Sequence, residues 1–153
     1  MTRASLISLV AFLLVVVVGG LVVGYLTAPG AWYAQLAKPS FNPPSWVFGP
    51  VWTVLYVMIA VAGWRIWRRK GARLAMTLWA AQQMKNFLCW PVFFAAHRVD
   101  LALVVILVLL AVVVAFTAVV WRRDRVSAGL FVPYGLWVAF ASTLNASIYA
   151  LNA

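Results

Sequence analysis

The sequence predicts an all-α integral membrane protein, a bundle of five transmembrane helices forming one domain over residues 1–153, and three observations predict it. Of the 153 residues 67% are hydrophobic and 9% charged, more apolar surface than a water-soluble fold of this size can hide. Five apolar segments, 6–26, 46–64, 74–94, 101–121 and 126–150, each hold about 20 residues, which at about 1.5 Å per residue cross a hydrocarbon core of about 30 Å. The basic residues fall in short clusters between those segments, where charge reports topology.

Taken in order, the first segment follows Arg3 but is too long for a signal-peptide core and lacks a clean small-residue cleavage site, so it reads as a retained span. Its Gly20 and Gly24 have the spacing that lets helices pack closely, within the bundle or across a dimer. Residues 29–45 cannot continue the helix, because Pro29, Gly30, Pro39, Pro43 and Pro44 break it. They are no flexible linker either. Trp32, Tyr33 and Phe41 call for burial and predict a structured cap. With Ser45 as N-cap, the second span begins at about Trp46. Pro91 should kink the third span near its end and Pro133 should bend the fifth in its first half, while the valine-rich fourth reads as a lipid-facing structural helix.

Nine basic residues (Arg3, Arg65, Arg68, Arg69, Lys70, Arg73, Arg122, Arg123 and Arg125) fall on one side of a five-span reading, against Lys38 and Arg98 on the other. That predicts a cytoplasmic N-terminus and a C-terminus on the opposite side. The net charge of +10 is thereby explained by membrane-surface anchoring, and no nucleic-acid partner is expected. Asp100 and Asp124 are the only carboxylates, and Cys89 and His97 are the lone residues of their types. Paired carboxylates, a nucleophile with its base, a phosphate loop and a metal cluster are all missing, so conventional catalysis, an obligatory cofactor and a metal site are not expected.

Aromatic and amide side chains carry what chemistry remains. Trp79, Gln82, Gln83, Asn86, Trp90 and Phe93 recur at three- and four-residue spacing, which puts them on one inward face. Trp137, Ala141 and Asn145 follow at i, i+4 and i+8, so that a small residue leaves a recess between an indole and an amide. Trp52, Tyr56, Ile59 and Gly63 form a similar stripe. Spacing alone fits helix packing with amides as interhelical glue. The nine tryptophans, several beside small residues and beneath an aromatic cap, favour a pocket for a large planar ligand bound by stacking and a few hydrogen bonds.

The run WYxxLxKPSFNPPxWVFGPVWTxLY, from Trp32 to Tyr56, resembles the signature of the TspO/MBR family, the tryptophan-rich sensory or translocator proteins. Asn86-Phe87-Leu88 with Pro91-Val92-Phe93-Phe94, and Pro133-Tyr134-Gly135-Leu136-Trp137 with Leu144-Asn145, extend the resemblance over nearly the whole chain. The resemblance implies a pocket closed by the loop after the first helix, taking tetrapyrroles such as protoporphyrin or haem and benzodiazepine-type ligands, and a homodimer; animal members of the family also bind cholesterol. By motif, Tyr33, Trp46, Trp52, Asn86, Trp137 and Ala141 match its ligand-contacting positions. It implies a sensory, regulatory or tetrapyrrole-handling role. The rival readings are a transporter of porphyrin or another small hydrophobic molecule, and a light-dependent porphyrin-degrading enzyme with Trp137 and Tyr33 as photochemical partners.

Three departures qualify the resemblance. The family's tryptophan three places after the asparagine is Cys89 here, with Trp90 next. On an ideal helix these lie about 60° to one side of Asn86 and about 40° to the other, so Trp90 reaches the pocket from the opposite flank and joins the predicted ligand contacts. Lys85 replaces an apolar residue and reads as a snorkelling or dimer-contact lysine ahead of a partner for a tetrapyrrole carboxylate. No basic residue follows Leu144 and Tyr149, so the sterol-associated pattern is incomplete. His97, expected to lie away from the cap, makes a poor axial haem ligand.

Overall fold

The computed structural model describes residues 2–153 and folds them into six helices. Helix α1 runs Arg3–Leu26, widening to a π-turn ladder over Leu14–Val18. The short α2 covers Ala31–Gln35. Helices α3 (Ser45–Trp67), α4 (Arg73–Trp90), α5 (Val99–Trp121) and α6 (Arg125–Asn152) complete the chain. Four of them, α1, α3, α5 and α6, are long and apolar enough to cross a membrane. The chain is an integral, multi-pass membrane protein.

The expected five-helix transmembrane bundle is therefore corrected. The segment at 74–94 forms α4, whose 18 residues include Arg73, Gln82, Gln83, Lys85 and Asn86, and it does not meet the apolarity of a span. Apolar length alone overlooked those groups, each of which costs several kcal/mol in hydrocarbon without a partner. At Pro91 the helix gives way to a π-turn over Pro91–Ala95, since proline has no N–H for the ladder. The cap, expected as a structured loop, contributes a helix of its own, α2.

Local chemistry sets the remaining boundaries. Thr2 caps α1 by accepting from the Ser5 N–H at 3.3 Å. Helix α3 begins at Ser45 with Pro44 in the capping position and no side-chain cap, so Ser45 is not the N-cap. Pro133 sits inside α6 without ending it. Asp124 caps α6, accepting from the Ser127 N–H at 3.3 Å and the Ser127 hydroxyl at 2.8 Å.

Helix α5 is not simply lipid-facing. Ala102, Ile106, Leu109, Val113, Phe116 and Val120 alternate by four and three and are all buried, the stripe of a helix packed along its length. Phe116 meets Phe131 of α6 with ring centroids 4.1 Å apart. Close approaches elsewhere use glycine. A Cβ on Gly20 would lie 2.2 Å from the Tyr56 ring, and one on Gly63 would lie 2.3 Å from the Trp79 indole. Gly20 thus seats α3 against α1 within the chain, whereas a Cβ on Gly24 would meet nothing within 4 Å.

Charge separates the two ends. Trp64 donates its Nε1–H to Ser5 O at 3.1 Å, holding the start of α1 against the end of α3. Asp124, with 2% of its side chain exposed, receives Arg65 through two nitrogens at 3.2 and 2.9 Å and Arg69 Nε at 3.3 Å. Burial pushes the Asp124 carboxyl up, but hydrogen bonds from Arg65 and Ser127 and the Arg65 charge outweigh it and hold the group well below the usual carboxylate range. The three basic clusters consequently share one end. At the other, Asn152 of α6 pairs with the Ala37 backbone, accepting at 3.0 Å and donating at 2.9 Å, which ties the cap to the end of α6.

Candidate functional site

Beneath the cap lies a cavity of about 360 Å³, bounded by α1, the cap, α3, the end of α4 and α6. Its α3 wall is Ser45, Phe48, Gly49, Trp52 and Tyr56, an i, i+3, i+4, i+7, i+11 stripe that a single helix face supplies. Its α6 wall is Trp137, Ala141, Leu144, Asn145 and Ile148. Helix α4 and its π-turn add Cys89, Trp90, Phe93 and Phe94. None of the lining residues is charged.

Aromatic rings make most of this surface and hold one another. Trp52 packs on Tyr56 at 5.3 Å and edge-on to Trp90 at 6.5 Å. Trp90 contacts Phe94 at 5.0 Å, and Phe94 contacts Tyr33 of the cap at 5.3 Å. Across the cavity, Trp137 lies edge-on to Phe48 at 5.9 Å. Tyr33 is fixed by its hydroxyl, which donates to Asn42 Oδ1 at 3.2 Å, and by Lys38 Nζ, 4.6 Å from the ring centroid. Burial raises the Tyr33 phenol above its ordinary value while the Asn42 bond opposes the shift, so it stays protonated near neutrality.

Polar atoms in the wall are few and two are free. Trp137 Nε1 and Asn145 Oδ1 are buried and have no hydrogen-bond partner among the described residues. One is a donor and the other an acceptor. Left unmet in an apolar site, each costs on the order of 1–3 kcal/mol, which a ligand carrying the complementary groups would recover.

Five of the seven sequence-predicted contacts, Tyr33, Trp52, Trp90, Trp137 and Ala141, lie in this wall. Trp46 does not. It is 75% exposed, because six residues turn an ideal helix by about 240° relative to Trp52. Asn86 is also displaced from the cavity: its Nδ2 donates to the Tyr134 hydroxyl at 2.9 Å, which in turn donates to Gln82 Oε1 at 2.9 Å. These amides bond within the packed core. Cys89 and Trp90 both line the cavity. Lys85 is half-buried and outside the wall. His97 stacks on Trp32 at 4.3 Å and so lies against the cap, contrary to expectation, yet it too is outside the wall.

Among the lining residues outside the predicted contacts, Asn145 is the one with an unpartnered polar atom. Its i+8 spacing from Trp137 was the available signal. The glycines Gly24 and Gly49 were also missed as wall; a Cβ on either would meet nothing within 4 Å. No group of three or more His, Cys, Asp or Glu that could hold a metal ion occurs among the described residues.

A sequence model of the TspO/MBR family matches residues 11–151. The chain is similar to Protein CrtK of Rhodobacter capsulatus, with 37% identity covering 84% of this chain and 83% of that protein. It is 36% identical to the tryptophan-rich protein TspO of Archaeoglobus fulgidus, covering 97% and 99% of the two chains. The translocator protein of Homo sapiens is 35% identical, over 79% of this chain and 75% of its own.

Proposed function

From the premise that this chain belongs to the TspO/MBR family, we propose that it is a membrane tetrapyrrole-binding protein with a sensory, regulatory or tetrapyrrole-handling role, its ligand held beneath the cap. One observation carries the reading: an uncharged aromatic cavity contains an unpartnered donor, Trp137 Nε1, and an unpartnered acceptor, Asn145 Oδ1. Flat rings supply stacking surface for a planar ligand, and the two polar atoms fix its orientation. The volume of about 360 Å³ is at the low end of small-molecule sites, about 300–1,000 Å³. A full macrocycle therefore either leaves one edge at the open side or displaces the loop at 29–45. Lys85 is not part of the cavity wall.

The test is a titration of detergent-purified protein with protoporphyrin in the dark, following tryptophan quenching with inner-filter correction. Saturable quenching that Trp52→Leu and Trp137→Leu both weaken supports the reading. Non-saturable quenching, or quenching that neither change alters in folded protein, rejects it. A second reading, light-dependent porphyrin breakdown, is favoured by Tyr33 and Trp137 lining the same cavity. It requires loss of ligand absorbance under illumination that slows in Trp137→Phe. Orientation and assembly belong to the same proposal. The basic end faces the cytoplasm by charge bias, and the family resemblance supports a homodimer, which light scattering in detergent would register.

A further inference from the structure

The basic end of the molecule contains a second cavity, of about 430 Å³, between the end of α3, the start of α4 and the turn joining α5 to α6. Its floor is apolar and buried: Ile66 is 2% exposed, Ala75 5% and Val120 1%. Its rim is cationic, made by Arg69, Lys70 and Arg123. Gly71, at φ +73°, makes the tight turn that presents Lys70 beside Arg69.

Of these cations only Arg69 meets a carboxylate, through its Nε. Asp124 is the one acidic side chain at this end, and its two oxygens are taken by Arg65, Arg69 Nε and Ser127. Among the described residues, the ion pairs are Arg65 and Arg69 with Asp124 and Arg98 with Asp100. Lys70 and Arg123 join none of them. Lys70 and Arg123, unpaired beside an Arg69 that gives only its Nε to Asp124, leave the rim with net positive charge, and the oxygens of a phosphate match a guanidinium fork and an ammonium together.

We propose that this hollow binds the phosphodiester headgroup of one anionic phospholipid. The apolar flank argues for a lipid over a soluble phosphate. Trp67 and Leu74, one residue from the lining Ile66 and Ala75, are each 62% exposed; they continue the apolar surface outward, where a glycerol backbone and the first acyl carbons would lie. Anionic lipids meeting basic pockets at helix ends is a general mode of headgroup recognition. The site is independent of the ligand cavity beneath the cap, at the opposite end of the bundle.

The experiment titrates protein in neutral detergent at about 0.15 M salt with phosphatidylglycerol, phosphatidylcholine of the same chain length, and sodium phosphate in separate arms. Native mass spectrometry counts bound lipid and a thermal melt reads stabilisation. The expected result is one saturable phosphatidylglycerol, bound at least tenfold more weakly by Lys70→Gln/Arg123→Gln and unchanged in Arg122→Gln/Arg125→Gln, which removes the same charge outside the hollow. Equal binding of phosphatidylcholine overturns the proposal. Equal stabilisation by phosphate alone overturns the lipid as its source. Equal weakening in both double variants overturns the site in favour of diffuse charge. Neither Lys70 nor Arg123 makes a side-chain bond in the fold; if the double variant still yields little folded protein, Arg123→Gln alone carries the same comparison.

Discussion

Gly24→Leu should close the cavity beneath the cap while leaving the helices in place. A Cβ at Gly24 meets nothing within 4 Å, and Gly24 lines the cavity, so the four added carbons enter empty space instead of a neighbour. Each carbon displaces roughly one methylene-sized contact that a bound ligand would otherwise make, at about 0.8 kcal/mol apiece. Four give about 3 kcal/mol, a loss of on the order of 100-fold in affinity at about 1.4 kcal/mol per tenfold. The assay is protoporphyrin quenching of tryptophan in the dark, run beside a thermal melt. Gly20→Ala is the matched contrast, because its Cβ would sit 2.2 Å from the ring of Tyr56, itself 3% exposed. Overpacking there should cost about 1–3 kcal/mol and lower the melt. Wild-type affinity in a folded Gly24→Leu protein would refute the placement of the ligand. A melt lowered as far in Gly24→Leu as in Gly20→Ala would refute the open space at Gly24.

Three further outcomes follow from the packing. Gly63→Ala forces a Cβ to within 2.3 Å of the Trp79 indole, which is pinned by its bond to Ile59 O at 2.9 Å; a loss of about 1–3 kcal/mol should appear as a lower melting midpoint. Tyr134→Phe strands Asn86 Nδ2 and Gln82 Oε1 at once, and at about 1–3 kcal/mol per buried unpaired group it should destabilise without changing the ring packing of Phe131 on residue 134. Asp124 sets an acid limit: its folded pKa lies below the ordinary 3.8, so its contribution is fully present above that value and drains away as pH falls below it toward the lowered one. The stability difference between wild type and Asp124→Asn should be constant from pH 5 to pH 8 and shrink progressively below about pH 4; a difference undiminished between pH 5 and pH 2 would show that Asp124 acts by shape and not by charge.

Hydropathy made the long apolar helices visible, because their side-chain composition is dictated by the solvent they face. It failed at α4, where the same residues that make the helix interesting, Gln82, Gln83 and Asn86, remove it from the apolar class. The cap was legible from its prolines and aromatics, but the bonds that hold it, from Tyr33 to Asn42 and from Asn152 to Ala37 across 115 positions, are tertiary. Trp46 could have been rejected from spacing alone, since it falls off the stripe defined by Phe48, Trp52 and Tyr56. The fate of Asn86 could not. Its partner Tyr134 is 48 residues away, and no periodicity on one helix tells whether an amide meets a ligand or a phenol on another.

That distinction also explains how the molecule divides its polar groups. Gln82 and Asn86 find Tyr134 and become part of a locked core, sandwiched between the cavity above and the Asp124 cluster below. Trp137 Nε1 and Asn145 Oδ1, about two turns apart on the far wall, find no partner and remain available. An apolar membrane interior penalises both arrangements unless partners arrive. The core supplies its own only in part, since Gln82 Nε2, Asn86 Oδ1 and both polar atoms of the Gln83 side chain have no partner among the described residues; the cavity, with Ala141 set between an unpaired donor and an unpaired acceptor, leaves the cost standing where a ligand can reach it. A fold that needed those two residues only for packing would gain stability from Phe in place of Trp137 and Leu in place of Asn145. Higher melting points for that pair of substitutions, together with lost ligand quenching, would mark the two polar groups as retained for binding at the expense of stability.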